Sequence, residues 1–549
     1  MIKIILDMAN IQDKIAKQFP EATFEDGEIL LVNIPDAKWH DLAKFLKEDA
    51  DLHFDHLITI IGMDWVDKFG CVYQLSSTKY NTQISVKVAT EERENPMIHS
   101  VSDIWKIATT FEREVYDFFG IIFINNPDMR RLFLSIDWKG YPLRKDYDMS
   151  PENNPVPTEN ERQEDVTYSY VEDENGNVEK KTIAIFQPED YVVNIGPQHP
   201  ATHGVLRFRT AVDGETIKKI DFYSGYIHRG IEKLCEGLTY PQTLHFMDRM
   251  DYFSGHHYHH ALCIAYEKAL GIEISRRAQV IRVLMDELAR IASHCLFLGT
   301  YCMDLGATTM LFYTLRVREQ ILDIMERTCG ARMTFNYGCI GGVMQDLHED
   351  FVKDVKELLA VLPKNIKEYN ELFIGNVIAK GRLENIGNLS FEDAISYGVT
   401  GPSGRASGWA CDVRKTHPYS IYGGLDFDEV VYTEGDSMAR TKLRIAEMEQ
   451  SAKIIEQLID NIPDGEYCVK VPKVIKLPVG RWFQMVEGCR GAFGVYIESD
   501  GGASPVRLKL APPCLPLANV VDHITQGYKI ADLITIGGSL DYIVPDIDR

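Results

Sequence analysis

One stretch divides this sequence. From Met149 to Asp190 it carries 11 acidic and 3 basic residues, with Pro151, Pro155, Pro157 and Pro188 and few large apolar side chains. Such a segment buries too little apolar area to offset its ordering entropy, so it reads as a linker. Length agrees. Single cores stop growing at roughly 250–300 residues, so two or more domains are expected of a chain of 549.

The flanking blocks differ in pattern. In residues 1–148, apolar runs at Ile29–Val32, Leu57–Gly62, Cys71–Leu75 and Ile84–Val88 predict strands. Ala37–Glu48 and Val101–Phe118 predict helices, giving an α+β domain. Residues 191–549 are mainly helical. Ser275–Leu298, Leu311–Thr328, Phe351–Leu362 (stopped by Pro363) and Asp436–Ile462 have helical spacing. Tyr191–Ile195, Leu206–Ala211 and Val495–Ser499 predict short flanking strands. The expected organisation is 1–148, a linker over 149–190, and 191–549.

Charge narrows function. Lys and Arg number 58 against 81 Asp and Glu, a net charge of −23. That argues against sequence-independent nucleic-acid binding and against docking on anionic lipid. No apolar run approaches the ~20 residues that span a bilayer; the nearest, Cys295–Tyr313, is broken by Asp304. The N-terminus turns polar too early for a secretory signal, so a cytoplasmic chain is expected, meeting a membrane only through partners. None of the 11 cysteines forms C-x-x-C; the tightest pair, Cys295 and Cys302, is seven apart. The chain is therefore expected to hold no metal: no iron–sulfur cluster and no structural zinc of the usual spacing.

Several clusters carry chemistry, each with a plainer alternative. Gly196–Gly204 (GPQHPATHG) is a proline-stiffened loop with His199 and His203 four apart, or a structural turn. His228-Arg229-Gly230 and Asp248–Tyr252 concentrate charge among apolar residues, or form a solvated helical face. His256, His257, His259 and His260 could share a helical face, yet no acid or cysteine is spaced to complete a metal site. Asp304 is an acid at an apolar helix end, needing a partner if buried. The C-terminal glycine-rich stretches match neither phosphate-binding nor dinucleotide-binding patterns.

Taken together the clusters resemble a known family. NIGPQHPATHGVLR (Asn194–Arg207), HRGIEKL (His228–Leu234), DRMDY (Asp248–Tyr252), MDLGA (Met303–Ala307) and GSLDYIVPDIDR (Gly538–Arg549) resemble the D subunit of respiratory complex I. FEREVYDFFGI (Phe111–Ile121) and GYPLRKDYD (Gly140–Asp148) resemble its C subunit, as in a fused C/D chain. The resemblance implies an α+β first domain and a mainly helical second one with small sheets, related to the large subunit of nickel–iron hydrogenases. In those, paired C-x-x-C motifs bind metal; here Asp251 and Ser254 occupy the early pair's place and no cysteine follows Ser539. The resemblance implies a quinone headgroup in place of the metal, with His203 and Tyr252 facing its two carbonyl oxygens and Asp304 partnering His203. It implies that His199, Arg229 and Arg332 line the site or the interface with a cluster-bearing neighbour. One departure stands out: Thr334 occupies a position where many members carry His, so tuning of the cluster by that histidine is not carried over. The implied function is that of one subunit in an NADH (or other donor):quinone oxidoreductase, peripheral on the cytoplasmic face of the bacterial inner membrane. Quinone is its substrate, it binds no cofactor of its own, and the iron–sulfur cluster lies in a partner. The implied partners are the cluster-bearing B subunit and the I and H subunits. The alternatives are the large subunit of a related membrane-bound hydrogenase, disfavoured by the missing thiolates, and a scaffold with no chemistry.

Overall fold

The computed structural model describes residues 8–150, 165–198 and 204–549. It is an α+β protein. The first block holds a five-stranded sheet of β1 (Thr23–Glu25), β2 (Leu30–Asn33), β3 (His56–Asp64), β4 (Phe69–Ser76) and β5 (Gln83–Thr90). Its order is β1-β2-β5-β4-β3, antiparallel except for β2 beside β5. The four strands read from the sequence are four of these five. The helix Asp36–Glu48 buries Trp39, Leu42, Ala43 and Leu46, one apolar stripe at helical spacing. The second helix begins at Ala108 rather than Val101 and ends at Phe119, where Gly120 (φ +73°) caps it in the left-handed region.

The stretch expected to be a linker is partly built into a sheet. β6 (Met97–His99), β7 (Ile122–Ile124), β8 (Val166–Glu172) and β9 (Val178–Ala184) lie side by side in that order. β8 runs parallel to β7 and turns back into β9. The turn is an Asn-Gly pair, with Gly176 at φ +82° and Asp173 accepting from the N–H groups of Asn175 and Asn177. Composition pointed the other way because β9 buries almost nothing. Backbone hydrogen bonds add strands to an edge without large apolar side chains. Thr167 donates to Asp128 (2.6 Å) and Ser169 to the Asn126 carbonyl (2.7 Å), tying the hairpin to the first block.

The second block opens with an antiparallel sheet of β10 (Tyr191–Ile195), β11 (Arg207–Asp213) and β12 (Thr216–Tyr223). A small hairpin follows, β13 (Gly338–Cys339) and β14 (Gly342–Val343), and later an antiparallel sheet of β15 (Val479–Glu487), β16 (Ala492–Asp500) and β17 (Arg507–Ala511). Between them pack the long helices Arg276–Asp304, Thr309–Cys329, Phe351–Tyr369 and Ser437–Ile459. The third does not stop at Pro363. That residue lies on the exposed face, while Phe351, Val355, Leu358, Leu362, Ile366 and Tyr369 are buried opposite. Burying six such side chains, at roughly 1.5–3 kcal/mol each, outweighs a local proline cost of ~3 kcal/mol.

The two blocks share a core. Phe133 and Leu143 of the first join Phe208, Leu515 and Val544 of the second in one apolar cluster. Across the same boundary Arg130 makes a bidentate pair with Asp221 (2.8 and 3.1 Å). Glu114 binds Lys509 and Arg549, and Glu232 binds Arg507 (2.7 Å) and Arg549 (3.1 Å), all of them buried.

Candidate functional site

The glycines of the GPQHPATHG loop act through close approach. A Cβ on Gly196 (φ +91°) would stand 2.0 Å from the Leu206 carbonyl oxygen, and one on Gly204 2.6 Å from the Val544 side chain. The loop's end is thereby seated against the closing segment of the chain. His199 and His203 lie outside the described residues.

Tyr252 follows a short 3-10 helix, Leu244–Arg249, and precedes the helix Gly255–Leu270. Its ring is half-buried and meets Phe253 edge-on at 4.2 Å. Burial raises its phenol pKa above the ordinary value while the Arg490 cation pulls it back, so the hydroxyl stays protonated at neutral pH. Tyr252 and Arg332 line one small cavity of about 20 Å³, with Phe253, Ser293, Arg318 and Phe335. Arg332 itself is held by Asp323 (2.6 Å), Glu326 (3.1 Å) and Glu319 on the neighbouring helix. Thr334 sits two residues on at φ +55°, a left-handed conformation that costs a β-branched residue strain.

The structure does not put every candidate in that cavity. Asp304 is the last residue of its long helix, partly buried, and is not among the cavity's lining residues. A carboxylate at a helix C-terminus opposes the helix dipole, which favours a cationic partner there. Arg229 lines a separate cavity of about 410 Å³ between the blocks, with His228, Phe118, Phe133 and Trp138. Its guanidinium donates to the Arg249 carbonyl (2.6 Å), and burial beside the Arg249 cation lowers its pKa. The four histidines of residues 256–260 go to separate partners. His256 stacks on Phe335 (4.4 Å), His257 meets Ser254 (3.0 Å), His259 meets Asp248 (3.2 Å) and His260 meets Asp286 (2.6 Å).

Next to Tyr252 in the chain begins a buried ionic network that sequence reasoning did not assemble. Asp251 is fully buried and receives two bonds from Arg490 (3.1 and 3.2 Å). Arg490 also donates to Ser293 (2.7 Å) and to the carbonyl (3.1 Å) and carboxylate (3.2 Å) of Asp541. Burial and the Asp251 charge push Asp546 up to about 7, and Tyr258 donates to it (2.9 Å). Asp251, Asp541 and Asp546 all lie in motifs singled out above, and the arginine that gathers two of them lies after β15 in the first of the C-terminal glycine-rich stretches, Glu487–Gly494, to which the sequence reading assigned no role.

Two components of one respiratory assembly are joined in this polypeptide. The family model for the respiratory-chain NADH dehydrogenase 30 kDa subunit matches residues 32–153, and that for the 49 kDa subunit matches residues 304–549. The C/D subunit of NADH-quinone oxidoreductase from Phocaeicola vulgatus is 54% identical over 519 residues, 94% of this chain and 99% of the relative. The C/D subunit from Bacteroides thetaiotaomicron is 53% identical over 525 residues, 93% of this chain and 98% of the relative. The D subunit from Desulfotalea psychrophila is 45% identical over 362 residues, 66% of this chain and 97% of the relative. The chain belongs to the family of fused C/D subunits of NADH-quinone oxidoreductase. It is thus part of a quinone-reducing oxidoreductase, complex I, with that complex's other subunits as partners; the hydrogenase alternative is set aside. No helix among the described residues is long and apolar enough to cross a membrane.

Proposed function

We propose that this chain forms much of the site where complex I reduces quinone. Electrons come from an iron–sulfur cluster in the neighbouring B subunit, with the I and H subunits adjoining, on the cytoplasmic face of the membrane. Residues 1–148 act as the C part and 191–549 as the D part, joined through 149–190. Quinone takes up two electrons and two protons to become quinol. Tyr252 and His203 donate hydrogen bonds to the two carbonyl oxygens as negative charge develops there. Asp304 orients His203 and favours its protonated form. His199, Arg229 and Arg332 line the site or the cluster interface.

The observation that carries this reading is Tyr252: a half-buried phenol that lines a cavity with Arg332 and lies within electrostatic reach of the buried Asp251–Arg490 pair. Tyr252→Phe and His203→Ala should each lower donor-to-quinone turnover by ~10²–10³, the usual cost of losing one preorganised donor. Asp304→Asn should cost less. Donor-to-artificial-acceptor turnover, which bypasses the site, should stay normal in all three. Quinone turnover near wild type in all three would leave the scaffold reading in first place.

A further inference from the structure

We propose that Cys339 and Cys468 form a modification site, a dithiol that a hydroperoxide converts to an intrachain disulfide. Their sulfurs lie 3.8 Å apart, the one contact between two thiols among the described residues. Backbone pairing sets the approach. Gly342 of β14 pairs with Cys339 on one side and forms a bridge with Cys468 on the other. The three residues thus form a row across neighbouring strands, and the middle one has no side chain. The outer two can lean towards each other over it. Val469 donates to the Gly341 carbonyl (2.9 Å) and Val343 to the Tyr467 carbonyl (3.1 Å), which fixes the register.

Both cysteines are partly exposed, whereas most of the other nine are buried. Burial pushes the Cys339 thiol up to about 12, which suits it to the second, resolving step. The Cys468 sulfur attacks the peroxide O–O bond, water leaves, and a sulfenic acid remains. The Cys339 sulfur then attacks that sulfur; the S–O bond breaks, the S–S bond forms and a second water leaves. Two thiols and one hydrogen peroxide give one disulfide and two waters. The sulfurs must close by about 1.8 Å to reach the ~2.05 Å of a disulfide, and the Cα atoms, two strand spacings or ~9.5 Å apart across Gly342, must approach to ~7 Å, so closure breaks the bridge between Gly342 and Cys468. Because the cysteines hold the outer places of the row, closure draws residues 463–478 and the hairpin together. Gly341 (φ +97°) and Gly342 (φ +152°) provide the local freedom. The hairpin begins three residues after Phe335 and six after Arg332, so the modification bears on the loop that lines the candidate site.

The full-length chain treated with dilute hydrogen peroxide should lose 2 Da and two of its 11 thiols, and a dithiol reductant should restore both. Peptide mapping should find the peptides carrying Cys339 and Cys468 joined. Cys339→Ser and Cys468→Ser should each abolish the loss; the mapping on unaltered protein stands even where a variant fails to fold. The proposal is overturned if all 11 thiols persist, if the joined peptides carry other cysteines, or if Cys468 gains oxygen without a bridge forming.

Discussion

Arg490 is the perturbation with the clearest consequence. Its guanidinium directs its donors to Asp251, Asp541 and Ser293, and its side chain is 1% exposed. Arg490→Met keeps the volume and removes the charge. Asp251, with no exposed surface, is then a carboxylate without its counter-ion. Breaking a buried pair from one side costs about 3–5 kcal/mol. The urea dependence is about 1–3 kcal/mol per molar for small proteins and rises with size, so in a chain of 549 residues the unfolding midpoint should fall by roughly 0.5–1 M. The loss should depend on pH. Burial already raises the Asp251 pKa against the pull of Arg490, and removing that pull raises it further. A carboxyl with a folded pKa above its unfolded value binds more protons in the folded state, so its contribution to stability falls as pH rises. The deficit should therefore be larger at pH 8 than at pH 5. Asp251→Asn combined with Arg490→Met should recover most of it at pH 8. The assay is urea unfolding followed by circular dichroism at both pH values. A midpoint shift below ~0.3 M, or a deficit equal at both pH values, would refute the reasoning.

Three further outcomes are expected. Glu232→Gln leaves Arg507, Lys509 and Arg549 short of one carboxylate at the boundary between the blocks; the buried cluster should lose about 3–5 kcal/mol, read by urea unfolding. A hydrogen bond to Asp36 (2.7 Å), joined by one to Glu172 (3.1 Å), raises the His99 pKa to about 9. Its contribution is full below the unfolded value of ~6.5 and is lost as pH rises through about 9. Hydrogen exchange of β8 and β9 should thus quicken between pH 6 and 9.5 beyond the intrinsic rate, and His99→Gln should abolish that excess. Elemental analysis of the purified chain should find no stoichiometric iron, nickel or zinc; one metal per chain would contradict the reading drawn from the absent C-x-x-C motifs.

What the sequence determined by itself was whatever depends on local pattern. Strand runs such as Leu57–Gly62 and helical stripes such as Ser275–Leu298 place apolar residues at the period of the element they form, and both elements are present. The motifs around Tyr252 and Gly538–Arg549 were sufficient for the family, since long ordered strings rarely recur by chance. Tertiary structure decided the rest. β8 and β9 form because an exposed edge of the first block accepts their backbone, which composition does not register. The helix Phe351–Tyr369 passes Pro363 because burial along its other face outweighs one lost hydrogen bond. Arg490 lies 239 residues from Asp251 along the chain, and no spacing rule links them. A buried charge has to find its counter-ion in space, and only the packed fold fixes which one it meets.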